Sequence, residues 1–274
     1  MRLTKLLTFL LLAQISFAQQ FNSLYIERKN IDANNLIYQT GRLFVFDYEI
    51  IENDKKYKLS YNEGYPNEKF ELAYIETDTL DLKIHLLVPK PNKSERTNKK
   101  QTEIKYLYCP VFKSINGTGI VENEKNTWIH PPRQGFFKAL ETCPFPFVTL
   151  PLEIGKQWND KMKISDHWSN EKWGAWEKKL MLSYNYKITE RTVIETGIGN
   201  LDCYVIESSA ESRIGESRLR SYYSEKYGFV RMEYEMVTGL KVNIWLDRFS
   251  ENNNFNDLQH IINYRNEQRN NRLQ

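Results

Sequence analysis

The residues best suited to bind a ligand surround a proline pair near the middle of the chain. Trp128, His130 and Arg133 flank Pro131-Pro132, a dipeptide that stiffens an extended backbone and cannot join a central sheet. An indole, an imidazole and a guanidinium on a rigid loop can stack against a ligand and hydrogen-bond to it. The sequence therefore predicts a ligand-binding loop at this point.

Four tryptophans follow within 19 residues, at Trp158, Trp168, Trp173 and Trp176. The sequence between them is polar, so we expect some of these rings to be partly exposed, and we assign Trp168 and Trp173 to the predicted ligand site. A structural interpretation stays open. In it, Trp158 and Trp176 belong to the core, Trp168 and Trp173 cap a sheet edge, and the loop's polar side chains fix a turn.

Catalytic and metal-binding motifs are absent from the sequence. It contains no nucleophile elbow, zinc-protease helix, phosphate loop, C-x-x-C pair or EF-hand. None of the four histidines is followed within four positions by another His or Cys, so we predict no metal site and no cofactor. Asp78 and Asp81 could do paired-carboxylate chemistry, but two solvated acids in a turn explain them more simply.

The three cysteines form an odd set. Cys109-Pro110 and Cys143-Pro144 each end a segment that leads into a loop, whereas Cys203 lies inside a predicted strand. In an oxidising compartment this pattern predicts a disulfide between Cys109 and Cys143. Three free thiols are the alternative.

The first 18 residues have the pattern of an export signal. A basic start, Met1–Lys5, precedes the apolar stretch Leu6–Ala13, and Ser16-Phe17-Ala18 places small residues at a cleavage site. Eight apolar residues are far fewer than the roughly 20 that span a bilayer. We therefore predict cleavage before Gln19 and a periplasmic or secreted protein without a membrane span.

Charge and composition exclude two classes of protein. The chain has 38 basic and 35 acidic residues, and loss of Arg2 and Lys5 with the signal leaves 36 basic ones. A nucleic-acid-binding protein normally has a clear basic excess on one face, so nucleic acid is not the expected partner. With 41% hydrophobic residues, the chain is also too apolar to be disordered.

Alternation of apolar and polar residues dominates the chain and predicts a mostly antiparallel β protein. The alternating segments are 80–88, 180–188, 230–236 and 240–246. Thr238-Gly239 separates the last two as a hairpin turn would, and residues 201–250 are predicted to form an up-and-down meander.

Helix is predicted in two places. Gln134–Glu141 is a short internal helix, and apolar residues at helical spacing after Asn252–Asn254 indicate a C-terminal one, with a polar, frayed tail from Asn266. We predict a single β domain over residues 19–250 and a helical, polar tail over residues 251–274. Residues 89–103 are predicted to form a flexible hairpin loop, with a domain boundary there as the alternative.

Three spaced motifs resemble a group of uncharacterised exported bacterial envelope proteins. They are Pro151–Trp158 (PLEIGKQW), Gly197–Ile206 (GIGNLDCYVI) and Tyr222–Val230 (YYSEKYGFV), within about residues 147–250. The resemblance implies a strongly curved antiparallel sheet and no established catalytic activity. With it, we expect a mainly β fold whose sheet forms a sandwich or half-barrel.

These observations favour a non-catalytic binding or envelope-associated protein. Its concave sheet face would hold an apolar or amphipathic ligand, an envelope protein or a glycan. Two alternatives stay open, a structural or assembly subunit of an envelope machine and a hydrolase with His130 or His167 as the base.

Overall fold

The computed structural model describes residues 24–27, 29, 31–61, 70–74, 82–92, 94, 96–109 and 115–270. These residues form fourteen strands, two short 3-10 helices and one α-helix. The strands are β1 (Leu43–Glu52), β2 (Lys55–Tyr61), β3 (Phe70–Tyr74), β4 (Lys83–Leu87), β5 (Thr102–Cys109), β6 (Asn116–Glu122), β7 (Asn126–Ile129), β8 (Phe147–Thr149), β9 (Gln157–Ile164), β10 (Leu180–Thr196), β11 (Gly199–Ser212), β12 (Gly215–Ser224), β13 (Gly228–Glu235) and β14 (Lys241–Ser250). The 3-10 helices span Gly135–Thr142 and Asp166–Trp168, and the α-helix α1 spans Leu258–Asn270. The predicted signal, its cleavage point and the Asp78/Asp81 pair lie outside the described residues.

The strands form one antiparallel sheet that curls until its two ends nearly meet. Their order is β8-β7-β6-β5-β4-β1-β14-β13-β12-β11-β10-β9, and β2 and β3 extend from β1. At the seam between the ends, the ring of Phe147 lies 5.8 Å from that of Trp158, which stacks on Tyr186 at 5.4 Å. The predicted curved antiparallel fold is confirmed, as a nearly closed, barrel-like sheet.

The predicted C-terminal meander is also confirmed. Strands β11 to β14 are neighbours in chain order, and Gly239 makes the last turn with a φ of 82° and an N–H bond of 2.9 Å to the carbonyl of Met236. A positive φ is costly for a residue with a Cβ, so glycine suits this position. The alternating segments at 180–188, 230–236 and 240–246 lie on β10, β13 and β14.

Side chains fill the inside of the curled sheet. The largest rings of this main core include Tyr48, Tyr108, Phe137 and Tyr234, all fully buried. The internal helix, predicted over Gln134–Glu141, is the 3-10 helix at Gly135–Thr142, and its Phe137 stacks on Tyr108 at 5.4 Å. This helix therefore packs into the core.

A second, smaller core lies on the outer face of β1, β4 and β5, under α1. Phe255 and Ile261 pack there with Val45 and Leu87. The predicted C-terminal helix is confirmed, and it continues to Asn270, beyond the predicted start of fraying at Asn266. One outer face of the sheet is thus covered by helix.

The predicted Cys109–Cys143 disulfide is wrong, because the sheet separates the two thiols. Neighbouring residues on a strand point to opposite faces. Tyr108 faces the main core, so Cys109 belongs to the small core under α1. Cys143 lies in the main core, with its Sγ 3.9 Å from the carbonyl oxygen of Glu235. All three cysteines are free and buried.

The loop between β4 and β5 is a hairpin loop, since these strands pair directly, with Leu87 opposite Lys105. Hydrogen bonds connect its described part to β5. For example, the N–H of Thr97 donates to Glu103 Oε2 at 2.8 Å. The division of the chain into one β domain and a tail stays a prediction. Within the described ranges, no helix is long and apolar enough to cross a membrane.

Candidate functional site

The predicted site residues do come together, as a chain of contacts beside the longer 3-10 helix. The rings of Trp128 and His130 meet edge to face at 5.8 Å, and Arg133 Nη1 donates to His130 Nε2 at 3.3 Å. The guanidinium of Arg133 lies 4.8 Å over the ring of Trp168. Trp173 Nε1 donates to the carbonyl of Trp168 at 2.8 Å. All five predicted residues therefore belong to one cluster.

A residue that sequence reasoning missed, Glu141, lies at the centre of this cluster. Its Oε1 is 3.4 Å from His130 Nε2 and 3.6 Å from Arg133 Nε, and it accepts no hydrogen bond. Burial raises the pKa of Glu141 to about 7, although Arg133 opposes the shift. A charged residue beside the apolar positions of the predicted helix was the available signal for this carboxyl group.

His130 is held as a neutral acceptor. Burial lowers its pKa to about 4. Its Nδ1 donates to the carbonyl of Pro131 at 3.0 Å, which leaves Nε2 to accept from Arg133. Trp168 and Trp173 are 9% and 6% exposed, so they present little surface to a ligand. The side chains of the cluster are therefore mostly buried against one another. Their role in binding stays a prediction.

A larger open site lies on the outer face of the sheet, where β9 to β14 curve into a groove of about 760 Å³. The outward-facing side chains along it are polar and carry both signs of charge. The basic ones are Lys187, Arg218, Arg220 and Lys241. The acidic ones are Glu207, Glu216, Glu233 and Glu235. The groove lining is thus balanced in formal charge.

The strand register sets these charges in alternating rows across the groove. In one row, Lys187 lies opposite Glu207, Glu207 opposite Arg220, and Arg220 opposite Glu233. The row ends at Asn243, the partner of Glu233. Directly opposed charges of unlike sign stabilise a sheet modestly. Each charge of this row therefore has an opposite charge on a neighbouring strand.

The tip of the β10–β11 hairpin forms one wall of a second cavity beside the groove. A bulge between Ile188 and Glu190 lets β10 bend. The tip reaches β14, where the N–H of Gly197 donates to the carbonyl of Leu246 at 3.0 Å. A cavity of about 620 Å³ lies between tip and sheet, and it shares Asn243 with the groove.

Aromatic and guanidinium groups alternate across the strands at this second cavity, which Arg231 and Trp245 line. Tyr222, Arg231 and Trp245 are register partners on β12, β13 and β14. The guanidinium groups of Arg220 and Arg231 each lie 5.6 Å from the ring centre of Tyr222. Trp245 is half-buried and lines the cavity. The cavity therefore offers an indole beside a positive charge.

An amide and a carboxylate complete the lining. Asn243 Nδ2 donates to Glu49 Oε1 at 2.9 Å, and Lys56 Nζ lies 2.8 Å from Glu49 Oε2. Burial alone would raise the pKa of Glu49, but these two hydrogen bonds outweigh it, so this pKa lies below its ordinary value. Glu49 thus acts as an ionised hydrogen-bond acceptor. No group of three His, Cys, Asp or Glu side chains within the described ranges could hold a metal ion.

Several solved structures are similar to this chain, whereas no family model and no curated protein match it. An exported-protein candidate with a YmcC-like fold from Bacteroides fragilis is 10% identical, with 79% of this chain and 98% of that one covered, at a TM-score of 0.42. A lipoprotein candidate from Parabacteroides distasonis is 13% identical, with 78% and 97% covered, at 0.39. The hypothetical lipoprotein YmcC from Escherichia coli is 10% identical, with 81% and 90% covered, at 0.36. All three are thus described as exported proteins or lipoproteins.

Proposed function

We propose that this chain is a non-catalytic binding protein that acts after export in the bacterial envelope, and that its ligand lies in the groove across β9 to β14. The groove itself carries the proposal: an open concavity of about 760 Å³ built on rigid strands rather than on loops. A volume of this size is typical of ligand sites. The export signal predicted at residues 1–18 supports the location.

The groove is a better ligand site than the inner face of the sheet. The inner face was the expected place for an apolar ligand, but rings such as Tyr108, Phe137 and Tyr234 fill it. The groove is lined by charged side chains of both signs, so it does not suit a purely apolar ligand. Its balanced charges give no attraction to a polyanion such as nucleic acid.

The positions of the histidines support a binding role over hydrolysis. His130, one candidate base, is buried against Glu141 and Arg133 and is outside the groove lining. His167, the other, follows β9 on the shorter 3-10 helix and does not line the groove either. The groove carboxylates lie next to basic partners, as in the Arg231–Glu233 pair at 2.7 Å.

Native mass spectrometry of protein purified from its own envelope tests the proposal. We expect a retained small or oligomeric ligand on the wild type and on Gln259→Trp, whose exposed residue on α1 is outside the groove. Ser209→Trp places an indole in the groove lining and should lose the ligand. Equal retention by both variants would refute the groove as the site. Retention of a folded protein partner instead would favour the assembly-subunit alternative.

A further inference from the structure

We infer that the ligand of the groove is an uncharged polyhydroxy chain, a glycan strand, and that one of its sugar rings stacks on Trp245. This inference rests on the proposed function, since it assigns the chemistry of the same site. Charge, the groove floor, the aromatic lining and length each support it.

Charge argues for a neutral ligand. Each of the four basic and four acidic side chains of the groove has an opposite charge close by. Lys187 lies opposite Glu207 in the strand register, and Arg220 lies opposite Glu233. Arg218 pairs with Glu216 at 3.2 Å, and Lys241 pairs with Glu235 at 4.0 Å. A polyanion or polycation would have to break these pairs, whereas hydroxyl groups can donate to the carboxylates and accept from the guanidinium groups without breaking them. The lining therefore favours many neutral hydrogen-bonding groups over a net charge.

The groove floor argues against an extended polypeptide. Peptides commonly bind a sheet by adding a strand to its free edge, where backbone groups are unpaired. Here the groove is centred on β11, β12 and β13, and each of these strands is paired on both sides. Recognition must therefore come from side chains, as it does for sugars.

Trp245 supplies an apolar surface among these polar groups. It lines the cavity under the β10–β11 hairpin, with Arg231 on the adjacent strand and Asn243 two residues away on its own strand. The face of an indole can pack against the C–H face of a sugar ring, while neighbouring amide and carboxylate groups bind its hydroxyls. The amide of Asn243 and the carboxylate of Glu49 are placed for this task.

The length of the groove argues for a chain rather than a single sugar. It crosses six strands, β9 to β14, which at about 4.8 Å between strands span about 24 Å. Asn243 lines both the groove and the second cavity, so an oligosaccharide that passes Asn243 would reach both.

Isothermal titration calorimetry with two neutral probes, tetra-N-acetylchitotetraose and cellotetraose, tests the inference. We expect saturable binding of at least one probe by the protein without its signal, at least tenfold weaker binding by Trp245→Ala, and a smaller loss for Trp245→Phe, which keeps a ring. Thermal melting of each variant shows whether it is folded. Heparin, poly-lysine and unfolded casein should give no saturable signal.

The outcomes separate this inference from the proposed function. Binding of casein but of neither sugar would overturn the glycan assignment in favour of a polypeptide ligand. If neither sugar binds, yet Ser209→Trp still loses the ligand retained in the envelope, the glycan assignment is wrong and the groove remains the binding site. Sugar binding that Trp245→Ala leaves unchanged would overturn the stacking role.

Discussion

Glu141 is a carboxyl group in surroundings that suit its neutral form. It is 3% exposed, and its Oε1 accepts no hydrogen bond. Since burial raises the pKa of Glu141 to about 7 from its ordinary value of 4.5, the folded state holds a proton that the unfolded state releases between these values. The stability that this proton contributes is complete below about pH 4.5 and is lost as the pH rises through 7.

We therefore expect Glu141→Gln to gain stability relative to the wild type as the pH rises from 4.5 to 8, by up to about 3 kcal/mol. Urea unfolding at several pH values measures the difference. His130 contributes a pH dependence of opposite sign: its pKa is lowered, so the stability that it contributes is lost as the pH falls. Because the wild type and Glu141→Gln both contain His130, this effect is common to the two. A difference that does not vary with pH would show that Glu141 is ionised throughout.

The cysteines provide a second test at the scale of the residue. Burial raises the pKa of Cys109, Cys143 and Cys203 to about 12 each, so little thiolate forms near neutral pH. We expect no reaction with iodoacetamide in the native protein at pH 8, and three modified cysteines in urea without reductant. Mass spectrometry counts the labels, and a count of one in urea would restore the disulfide.

Among the elements, the β10–β11 hairpin decides the shape of the candidate site. Its tip meets β14 at Gly197, where a Cβ would overlap the carbonyl oxygen of Asp247. The backbones of the hairpin tip and β14 therefore approach more closely at this position than a residue with a Cβ would allow. The second cavity therefore depends on this one contact.

Gly197→Ala should push the hairpin tip away from β14. We expect a loss of about 1–3 kcal/mol in the free energy of unfolding, as for other overpacked sites, and weaker binding of any ligand that reaches Trp245. Asn200→Ala, at an exposed position close to the tip, is the matched control and should change stability by less than about 0.5 kcal/mol. Equal stability of the two variants would contradict the close approach.

The elements differ in how far the sequence could predict them. Alternation in β10 and β13 was enough to predict strands, because one face of each is buried. The groove could not be predicted in this way. In the sequence, charged residues such as Lys187 and Glu233 are indistinguishable from ordinary solvent-exposed strand residues. Only the register of the strands shows that they lie in one row. The cysteine pairing failed for a similar reason, since sequence alone does not say which face of β5 carries Cys109.

At the scale of the whole molecule, β14 holds the fold together. It pairs with β13 on one side and with β1 on the other, from Leu43 opposite Ser250 to Ile51 opposite Lys241. It thereby joins the C-terminal meander to the strands β1 and β4 to β8. α1 adds a cover over the smaller core.

Two truncations separate these contributions. A chain that ends at Gly239 lacks β14 and should show no cooperative unfolding, because β1 and β13 each lose a partner strand. A chain that ends at residue 256 keeps β14 but lacks α1, and it should fold with reduced stability, because the smaller core around Val45 and Leu87 loses Ile261. Circular dichroism during heating distinguishes the two. Cooperative melting of the shorter chain would show that the fold does not need β14.

The pairing of β1 with β14 has a consequence for the export that the signal pattern of residues 1–18 predicts. A chain that is threaded outward from its N-terminus delivers β1 first and its partner about 200 residues later. Until then β1, with its apolar Phe44, Phe46 and Tyr48, has one open edge that can aggregate. We therefore expect the native sheet to form only once β14, which ends at Ser250, has also emerged, because β1 lacks its partner strand until then.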